Sequence, residues 1–404
     1  MNSIGIDVSK GKSTVVAVKP FGEVLKKPFD VLHNTSELRE LVDTIKSFEG
    51  ESRVVMESTG IYHLPVAKVL CDAGIFVSVV HPKRIHSYDN DSIRKIKTDK
   101  ADSLKIANFG LDKWDKLMRY EPEDDVRQSL KTFCRQYHHY SDLKTNLKNN
   151  LIALLDQSFP TINTLFGSAP RKSDGHEKWI DFAEKFWHIE CVLGLSIRKF
   201  CEIYQKWCKK AGYNYSVSKA TQIHETARSC FGVLPKSDST KLLITLAVSQ
   251  LNTIAETQAT IANEMIRIAS TLAEWSIVTQ MFGVGEILAS KLIAEIGDAA
   301  RFENKRSLVA FAGLEPPPYQ SGQFESKSRR ISKKGSPHLR KTLFQVMRTL
   351  IQHQPEDNCV YDFLDKKRKE GKHYYVYMTA ASAKFLRVYY GKVNEYLNLL
   401  HNTA

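Results

Sequence analysis

Asp7 closes a short β-rich run, I-G-I-D-V-S-K, and Glu57 closes another, V-V-M-E-S. A carboxylate projecting from the end of a central strand can hold a hard cation against phosphate oxygens. Asp99 and Asp102, in K-T-D-K-A-D-S, stand three apart at the start of a helical stretch. That spacing puts both side chains on one helix face. Two divalent ions bridging a scissile phosphate sit roughly 4 Å apart and call for about four acidic ligands. Asp7, Glu57, Asp99 and Asp102 supply that number. Taken singly, each acid also has an ordinary reading: a strand-end cap, a surface residue, or a helix-start pair favoured by the dipole.

The elements that would carry these acids alternate along the first hundred residues. S-I-G-I-D-V, S-T-V-V-A-V-K and E-V-L-K-K-P-F read as strands close enough for a meander of hairpins. T-S-E-L-R-E-L-V-D-T-I-K-S-F reads as a helix, and V-V-M-E-S and I-F-V-S-V-V as strands separated by the helix L-P-V-A-K-V-L-C-D-A-G. A helix between two strands implies a parallel pair. The expected α/β fold is a mixed sheet of the ribonuclease-H-like class.

After Pro122 the texture becomes helical. Val126, Leu130, Phe133, Tyr137, Tyr140, Leu147, Leu151 and Leu154 form one seam, and Ala247, Leu251, Ile254, Gln258, Ile261, Met265, Ile268, Leu272 and Trp275 another, with one polar Gln in the row. Two long coiled-coil helices are expected, paired antiparallel with each other with some intermolecular contact, an ordinary globular bundle being the alternative. Residues 159–239 between them, aromatic-rich and broken at Gly167-Ser168-Ala169-Pro170, read as an inserted helical subdomain. The expected domains are 1–112, 113–278 and 279–404.

The chain of 404 residues carries 58 Lys and Arg against 45 Asp and Glu, a net charge of +13 that points to a polyanionic partner. The 42% hydrophobic content excludes wholesale disorder. Seven cysteines without a C-x-x-C pair argue against both a disulfide framework and a zinc finger. Neither a signal peptide nor an apolar run long enough for a membrane span is present in the sequence, so a cytoplasmic protein is expected.

Two C-terminal segments are candidates for holding nucleic acid. F-G-V-G-E-I-L places Gly283 and Gly285 between apolar helical stretches, the form of a helix-hairpin-helix, where backbone amides at a helix start can approach a phosphate. A plain helix turn is the alternative. Further on, E-S-K-S-R-R-I-S-K-K-G-S-P-H-L-R-K gathers Arg329, Arg330, Lys333, Lys334, Arg340 and Lys341 around turn residues, ahead of a helix beginning near Pro337. The tail K-H-Y-Y-V-Y-M-T-A-A-S-A-K-F-L-R-V-Y-Y reads as a helix whose aromatics pack rather than stack on bases.

I-G-I-D-V-S-K-G-K-S-T-V-V also looks like the first phosphate loop of actin-like ATPases and sugar kinases, but no second phosphate loop follows. Taken in order, S-I-G-I-D-V-S-K, V-V-M-E-S-T-G, K-T-D-K-A-D-S, A-G-L-E-P, Y-Q-S-G and R-I-S-K-K-G-S-P-H-L-R-K resemble the insertion-sequence "one-ten" family of transposases. The resemblance covers about the first hundred and the last hundred and twenty residues.

The resemblance implies a RuvC-like domain with an Asp-Glu-Asp-Asp metal site on Asp7, Glu57, Asp99 and Asp102, using Mg2+. It further implies a coiled-coil connection and a mainly helical C-terminal transposase domain whose nucleophile falls on Ser321, in Y-Q-S-G. Gly322 would give Ser321 a tight turn, while Arg329, Arg330 and Lys333 could stabilise the pentacovalent phosphorus. Ser332 and Ser336 lie in the same segment. Members of the family are guided by a structured bridge RNA that pairs with donor and target double-stranded DNA, and they assemble their site from more than one subunit, as a dimer or a synaptic tetramer. A prokaryotic recombinase, nucleoid-associated when active, is thus expected. A metal-dependent Holliday-junction nuclease and a non-catalytic nucleic-acid-binding protein are the alternatives.

Overall fold

The computed structural model describes residues 1–88, 98–317, 320–321, 324–325 and 329–403; the side chains of residues 320, 321, 324, 325, 401 and 403 lie outside that description. The chain packs as two units, Met1–Asp124 and Asp125–Ala404.

In the first unit, β1 (Asn2–Val8), β2 (Lys12–Val18), β3 (Val24–Leu32), β4 (Ser52–Glu57) and β5 (Phe76–Val80) form one sheet of order β3-β2-β1-β4-β5. β1 pairs antiparallel with β2 and parallel with β4, and β4 pairs parallel with β5. This is the mixed ribonuclease-H-like arrangement that the strand pattern implies: two hairpins followed by helical crossovers. The helices are α1 (Thr35–Lys46), α2 (His63–Asp72), α3 (Pro82–His86) and α4 (Asp99–Asp112).

Alternation along the strands sorts the two faces of the sheet. Ile4, Ile6, Val8, Val54 and Met56 join the core that contains Leu38, Leu41, Val66 and Leu70 from α1 and α2. Ser3, Gly5 and Asp7 point to the opposite face, which α4 covers. A Cβ on Gly5 would lie 2.2 Å from the Ser103 carbonyl oxygen and 2.4 Å from the Ala107 amide nitrogen, so this glycine is what lets α4 settle on β1. The Ser3 hydroxyl donates to the Ala107 carbonyl (2.7 Å) and ties the same two elements together.

The second unit is built on α5 (Asp125–Ser158), followed by α6 (Lys178–Lys185), α7 (Glu190–Leu193), α8 (Ile197–Ala211), α9 (Val217–Ser229) and α10 (Asp238–Ala269). α5 and α10 run antiparallel. Leu130 and Cys134 at the start of α5 share a core with Met265, Ile268 and Ala269 at the end of α10. Leu151 and Leu155 share another with Ile244, Val248 and Leu251. Midway, the Gln258 amide donates to the Ser141 hydroxyl (2.6 Å), giving the one polar side chain of the seam its partner. Val126 is 43% exposed, outside the packed face. The segment between the long helices closes an aromatic core over this end, in which Phe182, Phe186, Phe200, Tyr204 and Trp207 pack ring against ring.

The rest of the unit comprises α11 (Trp275–Thr279), α12 (Glu286–Ile296), α13 (Lys305–Phe311), the two-residue strands β6 (Gln320–Ser321) and β7 (Phe324–Glu325), α14 (Pro337–His353), α15 (Cys359–Lys369) and α16 (Tyr374–Thr403). Among the described residues, no helix is long and apolar enough to cross a membrane.

Candidate active site and nucleic-acid surface

Asp7 and Glu57 sit at the C-terminal ends of adjacent parallel strands. The register Ile6↔Met56 places them side by side one residue further on, both on the face that α4 covers. α4 begins at this end of the sheet and runs back along β1, so Asp102, one residue before the Ser103 contact with Gly5, comes to the same end. Asp7, Glu57 and Asp102 are all half-buried.

Their proximity shows in the titration of Glu57. Its carboxyl is pushed above the ordinary range first by burial and then by the negative charges of Asp7 and Asp102, with Lys105 opposing. Asp99 is placed differently. It is exposed, and Lys12 of β2 reaches it at 3.9 Å while pairing with Asp30 at 3.3 Å. Among the described residues, no three His, Cys, Asp or Glu side chains already form a cage for an ion. The donor chemistry nevertheless suits a divalent cation, because three hard oxygen ligands repel one another and a double positive charge would turn that repulsion into attraction. Lys105, which opposes the shift at Glu57, and Lys12, which reaches Asp99, were not singled out in the sequence. Lys105 lies three residues from Asp102 on the same helix, the spacing that could have found it.

Ser321 lies in the β6–β7 hairpin, where it pairs with Phe324. Its side chain lies outside the described residues, as does Gly322. The base of this excursion is clamped. The Ser332 amide donates to the Glu315 carbonyl (2.9 Å) and the Lys333 amide to that of Gly313 (3.1 Å). Gly313, at φ +66°, and Gly335 pack backbone to backbone, and a Cβ on Gly335 would lie 2.0 Å from the Phe311 carbonyl oxygen.

The six basic residues beside it divide by what they touch. Arg329, Arg330, Lys333 and Lys334 are exposed. Arg340 is half-buried and donates to the carbonyls of Ala312 (3.0 Å) and Gly335 (2.9 Å), so its guanidinium braces the clamp. Lys341 pairs with Asp142 at 3.0 Å. Ser336 caps α14 and donates its hydroxyl to Glu295 (2.6 Å), a buried acid that Arg135 also approaches at 3.5 Å. No periodicity marks Glu295 out, because it lies in the apolar helix α12.

Gly283 adopts φ +81° in the turn between α11 and α12. Gly285 is the residue before α12 and has open space where a side chain would stand. Both line a cavity of about 430 Å³ with Thr349 and His353 of α14.

Residues 4–160 match the DEDD transposase family of IS110, and residues 276–362 match the transposase family of IS116, IS110 and IS902. This chain belongs to the IS110 family of transposases. The first of these matches spans all four acids named above. Over 372 residues, 91% of this chain and 88% of the relative, the IS110-family chain is 23% identical to the 44.8 kDa protein of insertion element IS116 from Streptomyces clavuligerus. It is 20% identical to a pilin gene-inverting protein of Moraxella bovis, over 85% of this chain and 80% of that one. Thermus thermophilus RuvC in complex with a Holliday junction substrate is 14% identical over 29% of this chain and 96% of its own, with a TM-score of 0.23, too slight a likeness to carry an argument.

Proposed function

We propose that this IS110-family chain is an RNA-guided DNA recombinase that moves an insertion sequence through a covalent serine intermediate. The observation that carries the reading is the convergence of Asp7, Glu57 and Asp102 at one end of the sheet. These three, with Asp99 on the same helix, are the residues that would hold magnesium. Bound there, the metal would supply Lewis-acid polarisation of the scissile phosphate.

The serine chemistry is an exchange of esters. The Ser321 oxygen loses its proton and bonds to phosphorus, while one DNA oxygen departs as a hydroxyl and takes up a proton. A hydroxyl of the second DNA then attacks the same phosphorus and Ser321 regains its proton, so one phosphodiester replaces another without an external energy source. Exposed Arg329, Arg330 and Lys333 are suited to the charge that spreads over the phosphoryl oxygens. Gly283 and Gly285 are suited to a DNA backbone, since neither presents a Cβ to a phosphate. Pairing of bridge RNA with donor and target DNA, and a dimer or tetramer in the synapse, complete the reading by family resemblance. The relative's pilin gene inversion is an activity of the same kind.

The test is incubation of the full chain with matched DNA, bridge RNA and magnesium, followed by a denaturing gel. A slow-migrating protein–DNA species is expected, lost in Ser321→Ala, with recombination lost in Asp7→Ala as well. Cleavage that survives Ser321→Ala would instead identify a water-using junction nuclease. Binding with no strand breakage in any variant would identify a non-catalytic protein.

A further inference from the structure

The structure gathers four cations around one concavity that neither the serine segment nor the glycine turn includes. Lys305 and Arg306 of α13, with Lys384 and Arg387 of α16, line a cavity of about 470 Å³ floored by Val388. Lys384 and Arg387 are three apart and share a face of α16. The walls are firm. Leu308 and Val309 of α13 share a core with Phe385, Leu386 and Tyr389 of α16, and the Tyr390 hydroxyl donates to the Phe302 carbonyl (2.9 Å). The cations therefore project from packed helices instead of a loose tail.

Basic residues on a surface are usually just solvated; what marks this set is that all four line one cavity whose lining contains no acid. On α15, Lys369 pairs with Asp365 and Lys367 pairs with Glu370, each at 2.7 Å. None of Lys305, Arg306, Lys384 and Arg387 has an ion-pair partner among the described residues, and no acid lines their cavity. Four like charges held together without a counter-charge repel one another, and a polyanion relieves that repulsion on binding. A DNA duplex presents about one negative charge per 1.7 Å of axis, dense enough to meet several cations in one cavity.

We propose that the Lys305–Arg306–Lys384–Arg387 cavity is a phosphate-binding site for the backbone of duplex DNA. Lys384 and Arg387 lie beyond residue 362, where the family match stops. The site fixes the duplex without reading its sequence, because contacts to phosphate position a protein while contacts to bases specify it.

The experiment measures binding of a fluorescent DNA duplex to the full-length chain by anisotropy across a salt series, without magnesium and in a Ser321→Ala background, so that no strand chemistry is required. Lys384→Glu with Arg387→Glu should weaken binding at least about tenfold and lower the slope of log affinity against log salt by about 2, one unit per lost phosphate contact. Lys384→Arg with Arg387→Lys should bind as the parent does. Lys305→Glu with Arg306→Glu, on the other wall, should repeat the first result and guards against misfolding of the α16 variant, with circular dichroism as the check on both. Unchanged affinity and slope in both reversals would overturn the proposal, as would loss of binding to a structured RNA with duplex binding intact. Because the readout is binding alone, failure here leaves the serine reading standing, and failure of the serine reading leaves this site standing.

Discussion

Replacing Gly5 with alanine should disable the acidic cluster from a distance, through the helix that carries Asp102. The new methyl would arrive 2.2 Å from the Ser103 carbonyl oxygen, 2.4 Å from the Ala107 nitrogen and 2.8 Å from the Ala107 Cβ. The first two obstacles are backbone, so no side-chain rotation can make room. Normal contact begins at about 3.4 Å, so α4 has to retreat from β1 by about 1.2 Å. Overpacking of this kind costs about 1–3 kcal/mol, which for a unit of this size lowers the melting temperature by roughly 3–15 °C. A shift of about 1 Å in a reacting constellation costs on the order of 100-fold in rate, and here it displaces Asp102 from Asp7 and Glu57. The assay is a thermal melt alongside magnesium-dependent strand cleavage. A variant that melts with the parent and cleaves at the parental rate would show that α4 is not fixed against β1 and that its acids are not placed by it.

Two further outcomes are expected. Glu57→Gln should abolish cleavage yet stabilise the metal-free chain above the ordinary carboxyl value of 4.5. A raised acid pKa means that the folded state keeps a proton the unfolded state releases, so stability falls as pH rises from that ordinary value through the raised one. Melting curves against pH with chelator present should show this decline in the parent and its absence in the variant; a Gln variant that melts lower at neutral pH would refute it. Arg127→Ala should cost about 3–5 kcal/mol in urea unfolding, because it leaves Glu274, whose side chain is 3% exposed, buried without its cation. Replacing both partners with apolar residues should cost much less.

The alternation of short apolar runs was enough to read the mixed sheet, since period-two burial writes itself directly into residue type. Asp7 and Glu57 were legible for the same reason: each polar residue interrupts a strand end. The divergence of Asp99 from Asp102 was not. A spacing of three places both on one helix face, but which of them meets Glu57 depends on how far α4 slides along β1, and Gly5 with Ser103 decides that across about a hundred residues of sequence. On α5 the heptad reading included Leu130 but missed Cys134 and His138, which are buried at successive four-residue steps from it. The start of α5 packs against α12 as well as α10, so it buries a broader face than a two-helix seam would. In the basic segment, composition revealed the cations but not their employment. Arg340 looks like its neighbours in sequence, yet it faces carbonyls brought to it by a glycine contact.

The hydrogen bond between Gln258 and Ser141 has a consequence for the register of the paired rods of the second unit. Helices of 34 and 32 residues extend for about 50 Å, and a one-turn slip of one past the other would strand the amide against hydrocarbon. The hydrogen bond thus favours one axial register, and neither rod contains a glycine or proline at which to kink between the aromatic lobe and the α12 end.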